Sequence, residues 1–465
     1  MSMTRRKKLA RSPNVLVFFT DQQRHDTTGV HGNPMGLTPN FDRLAERGTH
    51  VENSFTCQPV CGPARSCLQT GRYATQTGCW RNGIPLAENS VTLAKLFGEA
   101  GYDTAYFGKW HLGPDASVGP VPKAFRAGYD TWLASNVLEL TSDAYSTTVY
   151  DKRNRPVQLP GYRVDAITDA VIRYFNGKDR SPDQPFFSFV SYLEPHHQNS
   201  RDDYPAPAGY EALYAKNTWV PPDLRALGGT SASHLPGYYG MVKRIDEALG
   251  RTIDALTSLN LLDDTIILFT SDHGNHFKTR NHEYKRSCHD ASLRVPTALC
   301  GPGFDGGGRV SRLVSLVDLP PTLLDACGIP VPSQMSGRSI RPLLNEHFRS
   351  SNDWPDDVFA QVSESQVGRV VRTARWKYSV IDPTKNGWKE SASDRYTEAH
   401  LYDLKADPWE LNNLVGKASH DNVTKVMRER LKKHLKRIEN ATPKITPAPP
   451  TPAGQAKVSD EEASG

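Results

Sequence analysis

Two hydrophobic patterns alternate along the chain. Continuous apolar runs at Asn14–Thr20 and at 102–107, 186–193, 265–270 and 295–299 read as strands buried on both faces. Between them, apolar residues recur at helical spacing. These stretches are Pro39–Arg47 (capped by Thr38 or Asn40), 92–100 (stopped by Gly101), Arg163–Phe175, 238–259 and 319–327 (with Asp318 as cap). Such alternation predicts an α/β fold, a large and mostly parallel sheet covered by helices on both faces. After about Asn352 the pattern changes to short strands at 357–363 and 368–380 and a basic amphipathic helix at 423–438. Residues 1–350 therefore read as an α/β domain and 351–442 as a smaller α+β subdomain. Residues 443–465, rich in Pro, Thr, Ala and acidic side chains, read as a disordered tail. No internal repeat is found.

Composition narrows the function classes. A net charge of +5 over 465 residues gives no case for nucleic-acid binding. No run approaches the roughly 20 apolar residues of a membrane span. Residues 1–11 carry Arg5, Arg6, Lys7, Lys8 and Arg11, but the apolar run after them is too short for a signal peptide, so a cytoplasmic location is expected. Seven cysteines, an odd number scattered along the chain, are no disulfide framework, and none has zinc-ligand spacing.

The polar residues that follow the strands carry the chemistry. Asp21, Lys109 with His111, His196 and Asp272 each lie just beyond a predicted strand, where open α/β sheets bind ligands. A second feature is Cys61-Gly62-Pro63-Ala64-Arg65, continued by Ser66-Cys67-Leu68-Gln69-Thr70-Gly71-Arg72. A short helix at 64–69, ending at Gly71, puts Cys61 beside a helix N-terminus that favours an anion, with Arg65 one turn on. That setting suits a nucleophile attacking an anionic ester.

This stretch resembles the signature of the type I sulfatases of the alkaline phosphatase superfamily, Cys-x-Pro-x-Arg with a Thr-Gly-Arg ending. Gly108-Lys109-Trp110-His111-Leu112-Gly113, Pro195-His196, Ser271-Asp272-His273-Gly274 and the Leu401-Tyr402-Asp403-Leu404 region resemble further segments of that family. The resemblance implies a sulfuric ester hydrolase whose Cys61 is oxidised to formylglycine by a formylglycine-generating maturation enzyme. It implies Asp21, Gln22, Asp272, His273 and modified Cys61 as ligands of Ca2+, with Mn2+ or Mg2+ as alternatives. Gln22 departs from the second Asp found in many members.

The resemblance further implies that Arg65, Lys109 and Lys285 hold the sulfate, and that His196 with Lys285 protonates the leaving alcohol. His111 then acts as base on the second hydroxyl of the formylglycine hydrate. Register favours His196 over His197, and Lys285 over Lys278. The polar loops 79–82 and 275–282 suggest a sulfated carbohydrate or small molecule as substrate, with Arg81, Asn82, His197, His276, Arg280 and His282 on the substrate side and Gln198 beside them. Two alternatives stand: a phosphonate monoester or phosphodiester hydrolase on the same fold, and an inactive sulfated-glycan-binding protein.

Overall fold

The run Asn14–Thr20 forms strand β1, buried along its whole length. It belongs to a computed structural model that describes residues 12–114, 117–177, 180, 183–345, 353–452 and 458–464. Val15, Val17 and Phe19 enter one hydrophobic core, whereas Leu16 and Phe18 enter another. Alternate residues thus fill opposite faces of the sheet, which is why the run is apolar throughout rather than alternating. The basic segment 1–11 lies outside the described residues.

The sheet continues with β2 (Thr49–Phe55), β3 (Asp103–Lys109), β4 (Thr131–Ser135), β5 (Thr147–Asp151) and β6 (Pro156–Leu159). It is completed by β7 (Phe186–Ser191), β8 (Thr265–Ser271), β9 (Ala298–Cys300) and β10 (Gly308–Ser315). Their order is β10-β2-β9-β8-β1-β7-β3-β4-β5-β6. The block β8-β1-β7-β3-β4 is parallel. β9 runs antiparallel to both β8 and β2, and β4-β5-β6 form an antiparallel meander. The sheet is therefore mixed: a parallel central block, antiparallel pairings on either side of it, and a parallel β10–β2 pair at one edge. The short link from β5 to β6 leaves no room for the crossover that parallel strands need.

Helix Ser231–Ser258 starts before the expected 238 and carries Pro236 inside it. Helices Pro39–Arg47 and Arg163–Phe175 have the expected bounds.

A second, five-stranded sheet comprises β11 (Asp357–Val362), β12 (Val367–Thr373), β13 (Trp376–Asp382), β14 (Arg395–Asp403) and β15 (Lys444–Thr446). The expected boundary at 350–351 lies outside the described residues. The described part of the tail departs from the expected disorder. Lys444–Thr446 pairs in parallel with β14, and Asp460–Ser464 is helical. The Trp376 indole N–H donates to the Glu462 carbonyl at 2.9 Å, and Ala463 is buried. A proline-free tripeptide can complete a sheet edge, and one small apolar residue can dock beside Trp376, although the surrounding composition is polar. Among the described residues no helix is long and apolar enough to cross a membrane.

Candidate active site

The order β8-β1-β7-β3 sets four strand ends side by side, about 4.8 Å apart. Asp272, Asp21, the Pro195-His196 turn and Lys109 are delivered to one crevice by that order. Above them runs helix Cys61–Thr70, in which every residue is buried. It begins at Cys61 itself, three residues before the expected start, and ends at Gly71 with φ 66°. The Asn82 side-chain oxygen accepts from the Gly62 N–H at 2.9 Å, satisfying one free donor of the helix start.

Arg65 ties the helix to the strand ends. One terminal nitrogen donates to the Lys109 carbonyl at 2.9 Å and to Ser191 at 2.6 Å. The other lies 2.9 Å from Asp21 and 3.4 Å from Asp272. Lys109 Nζ bridges Asp21 at 2.8 Å and Glu139 at 2.9 Å, with Cys61 Sγ at 3.7 Å. Lys285 Nζ is 2.8 Å from Cys61 Sγ and 3.2 Å from His196 Nε2. Lys278, the other candidate, instead pairs with Asp202 at 2.7 Å.

Asp21, Cys61, Asp272 and His273 form a tight buried group, their ligand atoms all within 4.8 Å of one another. His273 Nδ1 is 2.9 Å from the Gly274 carbonyl, which orients Nε2 toward Cys61 Sγ at 3.3 Å. Gln22, with φ 67°, donates its backbone N–H to Asp272 at 3.0 Å. Its side-chain oxygen is buried without a hydrogen-bond partner in the protein. Two carboxylates, one imidazole and a spare amide oxygen fit a divalent cation with oxygen preference.

The electrostatics follow from burial opposed by charge. Burial resists ionisation of the Cys61 thiol, but Lys109, Lys285 and His273 hold it well below its ordinary range. Burial raises the Glu139 carboxyl, yet Lys109, then His111 and His196, hold it at about 2. Burial, then the charge of Asp21, pushes Asp272 up to about 7. Asp21 stays low because Lys109, His196 and Arg65 outweigh its own burial and the neighbouring Cys61. Two similar carboxylates are thus driven apart.

A cavity of 210 Å³ opens over Cys61, lined by Asn82, His111, Glu139, His196, His197 and Lys285 among others. His111 and Arg286 have φ of 60° and 66°, and Glu364, which pairs with Arg286 at 2.5 Å, has φ 65°. Non-glycine residues hold this conformation only where surrounding contacts over-determine it, and here His111 and Arg286 line the cavity while Glu364 holds Arg286.

Several residues expected to face substrate do otherwise. His276 is buried and binds the Lys285 carbonyl through Nε2 at 2.9 Å. Arg280 donates to the Trp409 and Glu410 carbonyls at 2.8 Å each, fastening its loop to the C-terminal part of the chain. Gln198 is buried and donates to the Glu139 and Ser142 carbonyls. Arg81 folds over the Trp80 ring and onto the Asn82 carbonyl. His282 is exposed and does not line the cavity. In each of the first four, a nearby backbone carbonyl captures the polar group, a partner that sequence cannot display. Asn82 and His197 do line the cavity. Glu139, Asn199, Glu283, Tyr284 and Arg286 also line it and escaped sequence reasoning. Glu139 follows β4, a strand the apolar pattern does not predict, and belongs to no motif, so nothing in the sequence marks it.

Comparison with known proteins bears on the chain as a whole. The family model "Sulfatase" matches residues 13–329, and the model "N-sulphoglucosamine sulphohydrolase, C-terminal" matches residues 280–437. An ulvan-active sulfatase of Formosa agariphila is 30% identical, covering 91% of this chain and 81% of that protein. The N-acetylglucosamine-6-O-sulfatase of Bacteroides thetaiotaomicron is 25% identical, covering 94% of this chain and 88% of that protein. The crystal structure of the sulfatase yidJ from Bacteroides fragilis superposes with a TM-score of 0.80 at 24% identity, over 94% of this chain and 98% of that one. The chain belongs to the sulfatase family and is a sulfuric ester hydrolase.

Proposed function

We propose that this enzyme hydrolyses a sulfate ester on a carbohydrate, with Cys61 converted to formylglycine and a divalent cation held by Asp21, Gln22, Asp272, His273 and that modified residue. The observation that carries the reading is the convergence of Lys109, Lys285, His273 and Asp21 on the Cys61 Sγ position. Sγ stands where the hydroxyls of the aldehyde hydrate would be carried. The hydrate would supply a nucleophilic oxygen, and a cation held there, calcium in the first place and manganese or magnesium otherwise, would supply positive charge to polarise the sulfate.

The chain's own residues do the rest. Lys109, Lys285 and Arg65, all buried, gather positive charge against the ester oxygens at the floor of the cavity. Asp272, whose carboxylate lies within 4.8 Å of Cys61 Sγ, is placed as a base beside Cys61. His196, whose Nε2 faces Lys285, donates the proton to the departing alcohol. His111, on the cavity wall, is the base that resets the site. The names of the relatives favour sugar sulfates, and Asn82 and His197 are the wall positions that would meet the sugar. The six cysteines other than Cys61 form no disulfide, in keeping with the cytoplasmic location we propose.

The test is peptide mass spectrometry across Cys61, on protein made with a formylglycine-generating enzyme, joined to turnover of sulfated monosaccharides and of an aryl phosphate diester. Aldehyde at Cys61 with preference for the sulfate ester is the expected result. An unmodified thiol in fully active enzyme would refute the nucleophile. Preferred turnover of the diester would move the protein to the phosphodiesterase reading.

A further inference from the structure

Among the described residues, a second cluster of metal-ligating side chains lies apart from the Asp21 group. Cys288 and His289 come just before the short helix Asp290–Leu293, three and four residues beyond Lys285. His400 comes from β14 of the small sheet. Their ligand atoms all lie within 4.8 Å of one another. Cys288 Sγ is 3.5 Å from His400 Nδ1 and 3.9 Å from His289 Nδ1. A tetrahedral zinc ion with ordinary Zn–S and Zn–N bonds separates sulfur from nitrogen by about 3.6 Å. The two imidazoles therefore already approach the sulfur from the distance that a shared ion requires.

The groups around the cluster orient it. His289 Nε2 lies 3.1 Å from the Tyr402 hydroxyl, so donation from Nε2 leaves the Nδ1 lone pair to accept, with Ser287 Oγ at 3.1 Å and Cys288 Sγ at 3.9 Å. Ser379, paired with His400 across β13 and β14, sits 2.8 Å from His400 Nδ1, the nitrogen that faces Cys288, so its hydroxyl is a contact that a bound ion would displace. Cys288, His289 and Tyr402 are buried, while His400 is half-exposed and marks the way in.

We propose that Cys288, His289 and His400 form a structural site for a thiolate-preferring divalent ion, zinc in the first place, with water as fourth ligand. One thiolate and two imidazoles suit zinc far better than calcium or magnesium, so this site and the oxygen-rich one at Asp21 select different ions. The ion cross-links the segment that carries Lys285 to the small sheet. That segment reaches across to the crevice, and its neighbouring Arg280 contacts already point the same way. The inference does not depend on the reaction assigned to Cys61.

Cobalt is the probe, because thiolate ligation gives a charge-transfer absorption that oxygen ligation does not. The full-length Cys61→Ser protein removes the competing thiol of the first site. After chelation and dialysis, it is expected to develop on Co2+ titration a thiolate band that Zn2+ abolishes, Co2+ at the oxygen-rich Asp21 group giving no such band. Adding Cys288→Ala should erase the band, and His400→Ala should weaken Zn2+ at least ~10-fold. X-ray absorption on zinc-loaded Cys61→Ser protein, which keeps all three ligands, should show one sulfur at about 2.3 Å and nitrogens at about 2.0–2.1 Å. A band that survives loss of Cys288, or zinc with no sulfur neighbour in the Cys61→Ser protein, overturns the proposal. So does failure of that folded protein to bind either ion, which would leave Cys288 and His400 as a hydrogen-bonded pair.

Discussion

Replacing Lys109 with methionine tests the electrostatic core of the site. Methionine keeps the length and apolar body of the side chain and removes only its charge. Lys109 Nζ is fully buried, 2.8 Å from Asp21 and 2.9 Å from Glu139. At an effective dielectric constant of about 20, each contact is worth about 6 kcal/mol of gross attraction. Most of that is offset by the cost of burying the ammonium, which the variant no longer bears. Asp21 keeps Arg65 at 2.9 Å, but Glu139 keeps no close cation and its Oε2 makes no hydrogen bond within the protein. An isolated buried carboxylate costs several kcal/mol, so the variant should lose about 3 kcal/mol of stability, measured by urea unfolding. Loss of one charge against the developing negative charge should lower kcat/KM on a sulfated sugar by about 10²–10³-fold. The double variant Lys109→Met with Glu139→Gln removes the orphaned charge. It should regain at least half of the stability and none of the activity. Full stability in the single variant, or restored turnover in the double, would refute this account of how the site is charged.

Arg280→Ala should cost about 2 kcal/mol by cutting two charge-assisted bonds to carbonyls while changing KM little; a large rise in KM would return Arg280 to the substrate side. Burial holds His276 at about 4, so it is neutral in the fold but protonates near 6.5 when unfolded. Its stabilising contribution is therefore complete above about pH 6.5 and is lost as pH falls to about 4, a change of about 3 kcal/mol; His276→Gln should flatten that slope in pH-dependent unfolding. Gly108 has φ 95°, and an added Cβ would lie 2.0 Å from the Ser191 carbonyl. Gly108→Ala should thus cost about 1–3 kcal/mol and lower turnover by moving Lys109, read by urea unfolding and kinetics together. Removing divalent ions with EDTA should abolish activity without unfolding the chain, and Ca2+ should restore it. Undiminished activity after verified metal removal would count against the Asp21 group as a cation site.

Local chemistry settled much of the architecture before any coordinates. The strand Asn14–Thr20 and the helices Pro39–Arg47 and Arg163–Phe175 are recognisable from their apolar patterns and caps, because burial on one face or two dictates period. The residues following those strands, Asp21, Lys109 and Asp272, were visible for the same reason: a strand's end is where a polar side chain can turn toward a crevice. The Cys61–Arg65 stretch was visible because helix initiation and anion binding both need particular residues at fixed spacing.

What sequence left open depends on contacts between distant residues. The order β8-β1-β7-β3 decides that Asp272, Asp21, His196 and Lys109 share one site, and no local pattern encodes which strands become neighbours. Glu139 became the counter-ion of Lys109 only through packing. His276 and Arg280 looked like substrate ligands because a polar loop residue reads the same whether it meets a ligand or a backbone carbonyl. The same limit hid the Cys288, His289 and His400 cluster, in which His400 lies more than a hundred positions from the adjacent Cys288 and His289 and meets them only where the small sheet packs on the large domain. Periodicity and spacing report the forces along a segment; the partner across space is chosen by how the segments pack.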